Sequence, residues 1–205
     1  MDISDPKDVV RRGYDAVSLR YDEVYGAETK YQSLLGDLCR RVPAGGTVLD
    51  VGCGSGEPVA RTLAAAGYRI TGIDISEVQV RRARERVPHA DFIPDATAAC
   101  FDDASFDAVV CLFALIHIPQ AEQPPLLRKI CGWLRPGGCF VATTGHSEWT
   151  ATEEDWLGGG APMWWSHADA ATNRQWIEQA GLTVEREEFV PEGAGGHALF
   201  WASRP

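Results

Sequence analysis

The sequence predicts an α/β fold built around a mostly parallel sheet, and three features carry this prediction. Residues 47–144 alternate short apolar segments with helical segments, the pattern of consecutive βαβ units. Gly52, Gly54 and Gly56 directly follow the first apolar segment and precede a predicted helix. Two β-favouring segments flank a glycine-rich turn at 193–196 and predict an antiparallel pair at one sheet edge.

The first half of the alternation contains three predicted strands and two predicted helices. Pro58 suits the first turn of a helix, and Gly67 ends that helix. Ser76 offers an N-cap to the second helix, which ends at Pro88. The strands are predicted at 47–51, 68–74 and 91–93, and the first helix at 58–66.

The second half continues the same alternation. The β-favouring run at 106–113 predicts a central strand that is buried on both faces. Apolar residues at helical spacing between Leu126 and Leu134 predict a helix, which ends in a turn at 135–138. A fifth strand is predicted at 139–144, a last helix at 168–180, and the closing strands at 182–189 and 197–202.

Residues 1–43 lie outside the alternation and predict a helical cover that precedes the main domain at 44–205. Val10, Tyr14 and Val17 fall on one helix face, and Tyr21 extends it by one turn. A stripe of this kind either packs against the rest of the protein or forms part of the wall of a ligand-binding site.

Residues 145–167 form a second segment outside the alternation, too long for an ordinary connection. Five large apolar side chains lie in this aromatic insert, which predicts either a substrate lid or a local hydrophobic mini-core. They are Trp149, Trp156, Met163, Trp164 and Trp165.

Composition limits the function classes. The chain has 205 residues, 45% of them hydrophobic, enough for one sizeable core. Its formal net charge of −10 and scattered basic residues argue against a nucleic-acid partner. No signal peptide or membrane-spanning run is evident, so a soluble cytoplasmic protein is predicted. Six cysteines without metal-ligand spacing predict no metal site.

The glycine loop predicts a bound cofactor, because glycine lets a ligand approach the backbone closely. A dinucleotide fingerprint would need glycine where Glu57 stands, and a carboxylate there would repel a pyrophosphate. A cationic, phosphate-free nucleoside such as S-adenosylmethionine meets no such repulsion. Asp74 ends the second strand, where a carboxylate can accept hydrogen bonds from both ribose hydroxyls. Asp95 could accept from an adenine amine, with Ala96 leaving room for the ring.

These residues together resemble the class I S-adenosylmethionine-dependent methyltransferases, over roughly residues 9–203. The resemblance is carried by four motifs, at 48–58, 71–76, 106–119 and 134–138. It implies a Rossmann-like seven-stranded sheet with an antiparallel final strand, helices on both faces and an N-terminal helical cover.

The resemblance also implies a role for each matching residue. The glycines of the loop would surround the amino-acid part of the cofactor, and an aspartate would hold the ribose. Residues after strand four would form the floor near the sulfonium. Tyr14 and Tyr21 would close over the methionine end. The predicted cofactor-contacting residues are Tyr14, Tyr21, Gly52, Cys53, Gly54, Gly56, Pro58, Asp74, Ile75, Asp95, Ala96, Leu112, Phe113, Ala114 and His117.

The implied reaction is methyl transfer to the oxygen, nitrogen or sulfur of a small molecule, plausible in secondary metabolism, with S-adenosylhomocysteine as product. A general base is optional. The histidine candidates are His167, first because it lies in the aromatic insert, then His146 beyond strand five, then His117 after strand four. Two alternatives stay open: a NAD-dependent oxidoreductase, and an S-adenosylmethionine-binding protein that catalyses another reaction. The sequence allows a monomer or a homodimer.

Overall fold

The computed structural model describes residues 5–25, 30–94, 99–193 and 195–205. Within these ranges, the helices are α1 (Pro6–Tyr25), α2 (Lys30–Arg41), α3 (Val59–Ala65), α4 (Glu77–Arg86), α5 (Gln123–Trp133) and α6 (Ala170–Gln179). The strands are β1 (Thr47–Val51), β2 (Arg69–Asp74), β3 (Asp91–Pro94), β4 (Phe106–Cys111), β5 (Leu134–Gly145), β6 (Trp149–Glu153), β7 (Met163–His167), β8 (Thr183–Glu192) and β9 (Gly195–Ser203).

Seven strands form one sheet in the order β3-β2-β1-β4-β5-β9-β8. The first five of these pair in parallel, whereas β9 is antiparallel to both β5 and β8. The predicted seven-stranded sheet with an antiparallel final strand is therefore confirmed. Because β9 runs in the opposite direction, its first residues lie at the edge where the parallel strands end, and His197 pairs with Gly145 there.

Helices cover both faces of the sheet, as predicted, because the central strands present apolar side chains alternately to the two sides. Val48 packs in a core with α2, α3 and α4, and the next residue, Leu49, packs in a second core with α5 and α6. Both side chains are completely buried. The sheet is thus the middle layer of three.

Local turn chemistry sets the element ends largely as predicted. Ser76 caps α4 by accepting a hydrogen bond from the Gln79 amide at 3.1 Å. Asp169 caps α6 in the same way through the Thr172 amide, so this helix begins two residues later than predicted.

Two parts of the structure go beyond the sequence prediction. The N-terminal segment contains a second helix, α2, which packs into the sheet core. The aromatic insert folds as an antiparallel β6–β7 hairpin that contacts α1. The division into a cover at 1–43 and a domain at 44–205 stays a prediction. Among the described residues, no helix combines the length and apolar character needed to cross a membrane.

Candidate functional site

The glycine loop after β1 adopts the open conformation that its sequence predicts. Gly52 and Gly54 have φ values of +75° and +53°, which lie in a backbone region that residues other than glycine rarely adopt. The amides of Gly52 and Cys53 both donate to the Ile73 carbonyl, at 2.8 and 3.0 Å, which fastens the loop to β2. Apart from its two neighbours in the chain, none of the described residues has an atom within 4 Å of the position that a Cβ on Gly54 would occupy, so a ligand can reach this backbone.

Two buried carboxyl groups lie beside this loop. Asp74 accepts hydrogen bonds from the amides of Gly54 at 2.9 Å and Ser76 at 2.8 Å, while burial raises its pKa to about 6. Asp50 is 2% exposed, and burial together with the neighbouring Asp74 charge raises its pKa to about 8. Burial disfavours both charges, and the charge of Asp74 further disfavours that of Asp50, so a bound cation would be stabilised here.

A cavity of about 520 Å³ extends from the loop and is strongly acidic. Two lysines, Lys7 and Lys129, line it as well, and Lys7 forms an ion pair with Glu122 at 2.9 Å. The acidic lining residues are Asp22, Asp50, Glu57, Asp74, Glu122 and Glu192. This charge distribution favours a cationic ligand over one that carries phosphates.

Aromatic side chains from α1 and the insert cover the cavity. Trp156 contacts Tyr14 and Tyr21 with ring centroids 5.5 and 5.8 Å apart, and it contacts Trp165 at 5.6 Å. All four residues line the cavity. Since the rings meet edge to face or tilted, they form one continuous apolar wall.

His117 joins the α1 cover to the loop after β4. Its Nδ1 lies 2.8 Å from the Trp164 carbonyl, which can only accept, so Nδ1 carries the hydrogen. Its Nε2, 2.9 Å from the Tyr14 hydroxyl, accordingly accepts from it. Burial lowers the pKa of His117 to about 4, so the ring is neutral near pH 7.

Polar contacts hold α1 against α4 and the glycine loop. Asp22 accepts from the Ser55 hydroxyl at 2.9 Å and forms ion pairs with Arg82 and Arg86. One turn earlier, the Ser18 hydroxyl donates to the Gln79 side chain at 2.7 Å. These contacts, here called the α1 latch, fix the cover over the cavity.

A family described as a methyltransferase domain matches residues 48–138. The chain is 35% identical over 152 residues to 27-O-demethylrifamycin SV methyltransferase of Amycolatopsis mediterranei, a match covering 63% of this chain and 55% of that protein. It is 39% identical over 104 residues to 2-methyl-6-phytyl-1,4-hydroquinone methyltransferase of Synechocystis, covering 49% of this chain and 32% of that protein. These matches support the resemblance to the class I S-adenosylmethionine-dependent methyltransferases. It spans about half or less of the length of these two relatives.

Solved structures show the same fold. Magnesium protoporphyrin IX methyltransferase of Synechocystis with bound SAH has a TM-score of 0.77 at 20% identity, covering 98% of this chain and 100% of that one. The [4+2]-cyclase SpnF has a TM-score of 0.72 at 22% identity, covering 95% and 94%.

Most of the predicted cofactor-contacting residues come together around the cavity beside the glycine loop. Gly56 does not line it; instead, the position of its missing Cβ faces Ala83 and Val87 of the α4 end. Asp95 and Ala96 lie outside the described residues. The predicted residues that line the cavity are Tyr14, Tyr21, Gly52, Cys53, Gly54, Pro58, Asp74, Ile75, Leu112, Phe113, Ala114 and His117.

The structure places two of the three candidate histidines outside the cavity lining. His167 packs its ring against Trp149 at 5.9 Å, and His146 is exposed with its ring against Phe189 at 4.8 Å. The order that put His167 first assumed that the whole insert faces the ligand. Trp165 and His167 lie two residues apart on the same face of β7, but only Trp165 lines the cavity, whereas the His167 ring lies against Gly145 at the end of β5.

Asp50, Glu192 and His197 are among the cavity residues that were not singled out from the sequence. Asp50 is an acidic residue inside an apolar strand, which is itself an indication of a site. Glu192 ends β8, which runs in the same direction as the parallel strands, so the rule that ligands bind at the carboxyl ends of strands would have included it. His197 lies near the start of β9, and because β9 is reversed, its first residues lie at the same edge.

Proposed function

We propose that the protein transfers the methyl group of S-adenosylmethionine to a small-molecule acceptor. The observation that carries this proposal is the acidic cavity beside the glycine loop, where Asp50 and Asp74 are buried together. S-adenosylmethionine carries an ammonium and a sulfonium and no phosphate, so it fits this charge distribution. The relatives named above for methylating rifamycin and hydroquinone compounds support a small-molecule acceptor.

The residues that would hold the cofactor follow from their positions. Gly52 and Gly54 would contact its amino-acid part, and Asp50, which would lose its proton as the cation binds, would pair with the ammonium. Asp74 would accept from the ribose hydroxyls with the lone pairs that its two backbone hydrogen bonds leave available. The adenine contacts of Asp95 and Ala96 stay a prediction.

When bound, S-adenosylmethionine supplies a methyl group on a sulfonium, which is already a good leaving group. The protein therefore contributes mainly position and exclusion of water. Tyr14 and His117 close α1 over the cavity, and because both nitrogens of His117 already have hydrogen-bond partners, we assign this histidine to closure rather than to proton transfer. The acceptor would bind along the wall that contains Trp156 and Trp165.

The acidic cavity argues against the NAD-dependent oxidoreductase alternative, since the carboxylates that line it would repel a pyrophosphate. The net charge of −10 likewise supports a free small molecule rather than a nucleic acid as substrate. We place the reaction in the cytoplasm, and the name of the rifamycin relative supports a role in secondary metabolism.

Ligand-dependent melting tests the cofactor assignment. S-adenosylhomocysteine at about a hundred times its dissociation constant should stabilise the protein by about 2.7 kcal/mol, whereas NADH should not. Asp74→Ala should weaken S-adenosylhomocysteine binding about tenfold or more, and Asp91→Ala, an exposed aspartate on the neighbouring strand, should not. Stabilisation by NADH alone would refute the assignment.

A mass-shift screen tests the transfer itself. The protein is incubated with S-adenosylmethionine and small alcohols, amines, acids and thiols, and products are searched for the gain of one methylene. Binding of S-adenosylhomocysteine without any transfer would favour a non-methylating member of the fold.

A further inference from the structure

The C-terminal hairpin brings a second titratable pair into the cavity. The carboxylate Oε2 of Glu192 lies 3.4 Å from Nε2 of His197, and both side chains line the cavity. The His197 ring meets Phe113 edge to face at 5.0 Å, which places it beside the loop after β4. This pair therefore faces the same space as the predicted acceptor wall.

One nitrogen of His197 has no hydrogen-bond partner. Because Nε2 is the nitrogen that faces the Glu192 carboxylate, we assign the hydrogen of the neutral ring to Nε2, which leaves Nδ1 as the basic nitrogen. Nδ1 is buried, and nothing in the described part of the chain donates to it. A buried acceptor without a donor is unfavourable, and a bound molecule with an O–H or N–H group would satisfy it.

The other histidines do not offer this combination. His117 lines the cavity but has both nitrogens occupied. His146 and His167 do not line it, and His89 is exposed in the turn after α4. His197 thus combines a cavity position with an unsatisfied basic nitrogen.

We propose that His197, positioned by Glu192, takes the proton from the methyl acceptor, and that the acceptor carries its O–H or N–H on an aromatic frame. This rests on the proposed function. The acceptor's oxygen or nitrogen forms its bond to the methyl carbon while the carbon–sulfur bond breaks, its electron pair passing to sulfur. The acceptor's proton passes to Nδ1 of His197, and Glu192 stabilises the resulting imidazolium. Tyr31, Phe113, Trp156 and Trp165 supply the flat apolar surfaces for an aromatic frame.

The test uses four matched probes: hydroquinone, aniline, benzoate and thiophenol, each with S-adenosylmethionine and mass detection of the methylated product. Hydroquinone and aniline should be methylated and should lose their turnover in His197→Gln by about a hundredfold or more. His89→Gln is the matched control and should turn over like the natural protein. S-adenosylhomocysteine affinity should stay within about twofold in both variants, which also shows that they are folded.

A pH profile separates proton transfer from a merely structural effect. The groups that act on His197 are Glu192 from β8, His117 from the loop after β4 and His167 from β7. The natural protein should lose activity as pH falls, and His197→Gln should lack this loss. Glu192→Gln should lower turnover, because the imidazolium that forms during transfer loses its carboxylate.

Three outcomes would overturn the proposal. The first is methylation of benzoate or thiophenol but of neither hydroquinone nor aniline. The second is a turnover of His197→Gln within about threefold of that of the natural protein. The third is the absence of methyl transfer to hydroquinone or aniline although S-adenosylhomocysteine binds. Absence of S-adenosylhomocysteine binding would instead overturn the proposed function on which this inference rests.

Discussion

At the scale of a single residue, Asp50 makes the stability of the protein depend on pH. Its pKa is raised to about 8 in the folded protein, whereas an unfolded aspartate loses its proton near pH 4. Between these values the folded state binds more protons than the unfolded state, so the free energy of unfolding falls as pH rises. Asp74, with its pKa raised to about 6, acts in the same direction.

We therefore expect Asp50→Asn to reduce this pH dependence. The melting temperature of the natural protein should fall from about pH 5.5 to about pH 8, and that of the variant should fall clearly less, because the amide cannot ionise. Asp91→Asn changes an exposed aspartate and is the control. If the melting temperature of Asp50→Asn decreased as much as that of the natural protein, Asp50 would be ionised in the folded state.

At the scale of elements, the α1 latch connects the cover to the glycine loop. Asp22 has a side chain that is 19% exposed and that accepts from Arg82, Arg86 and Ser55 together. Glu23 is the next residue and forms only an exposed ion pair with Arg20. The two acidic side chains differ in burial and in the number of elements that they join.

Loss of the latch should weaken both the fold and cofactor retention. Asp22→Asn leaves two partly buried arginines without their carboxylate and should lower the free energy of unfolding by about 1–3 kcal/mol. It should also speed S-adenosylhomocysteine dissociation. Glu23→Gln should change stability by less than about 0.5 kcal/mol. Denaturant unfolding and a dissociation rate measure the two effects, and equal behaviour of the two variants would show that the Asp22 contacts do not hold α1 over the cavity.

The elements differ in how far the sequence predicts them. The strands and helices of 47–144 follow from local apolar periodicity and turn residues, such as Ser76 at the α4 cap, so their order and approximate ends are predictable. The β6–β7 hairpin has no such local indication, because its aromatic residues suit a lid or a mini-core equally. In the structure they divide between these roles: Trp165 lines the cavity, whereas Met163 is completely buried beneath α1.

At the scale of the whole molecule, strand direction decides which residues reach the cavity. The carboxyl ends of the parallel strands identify the glycine loop, Asp74 and Phe113 from sequence position alone. His197 comes from a reversed strand, and its place depends on pairing with β5, which is separated from it by about fifty residues of chain. Long-range pairing of this kind leaves little trace in the local sequence.

The charge of the whole molecule should steer the cofactor into the cavity. The net charge is −10 and acidic side chains outnumber basic ones in the cavity lining, so the field attracts S-adenosylmethionine, whose net charge is about +1, more than the electrically neutral S-adenosylhomocysteine. Raising the salt concentration from about 0.05 M to about 0.5 M shortens the Debye length and screens this field. We expect association of S-adenosylmethionine to slow about fivefold and that of S-adenosylhomocysteine to slow less than about twofold. Stopped-flow fluorescence of the cavity residues Trp156 and Trp165 would follow both reactions, and an equal salt effect on the two ligands would show that the cavity is screened from the approaching cofactor.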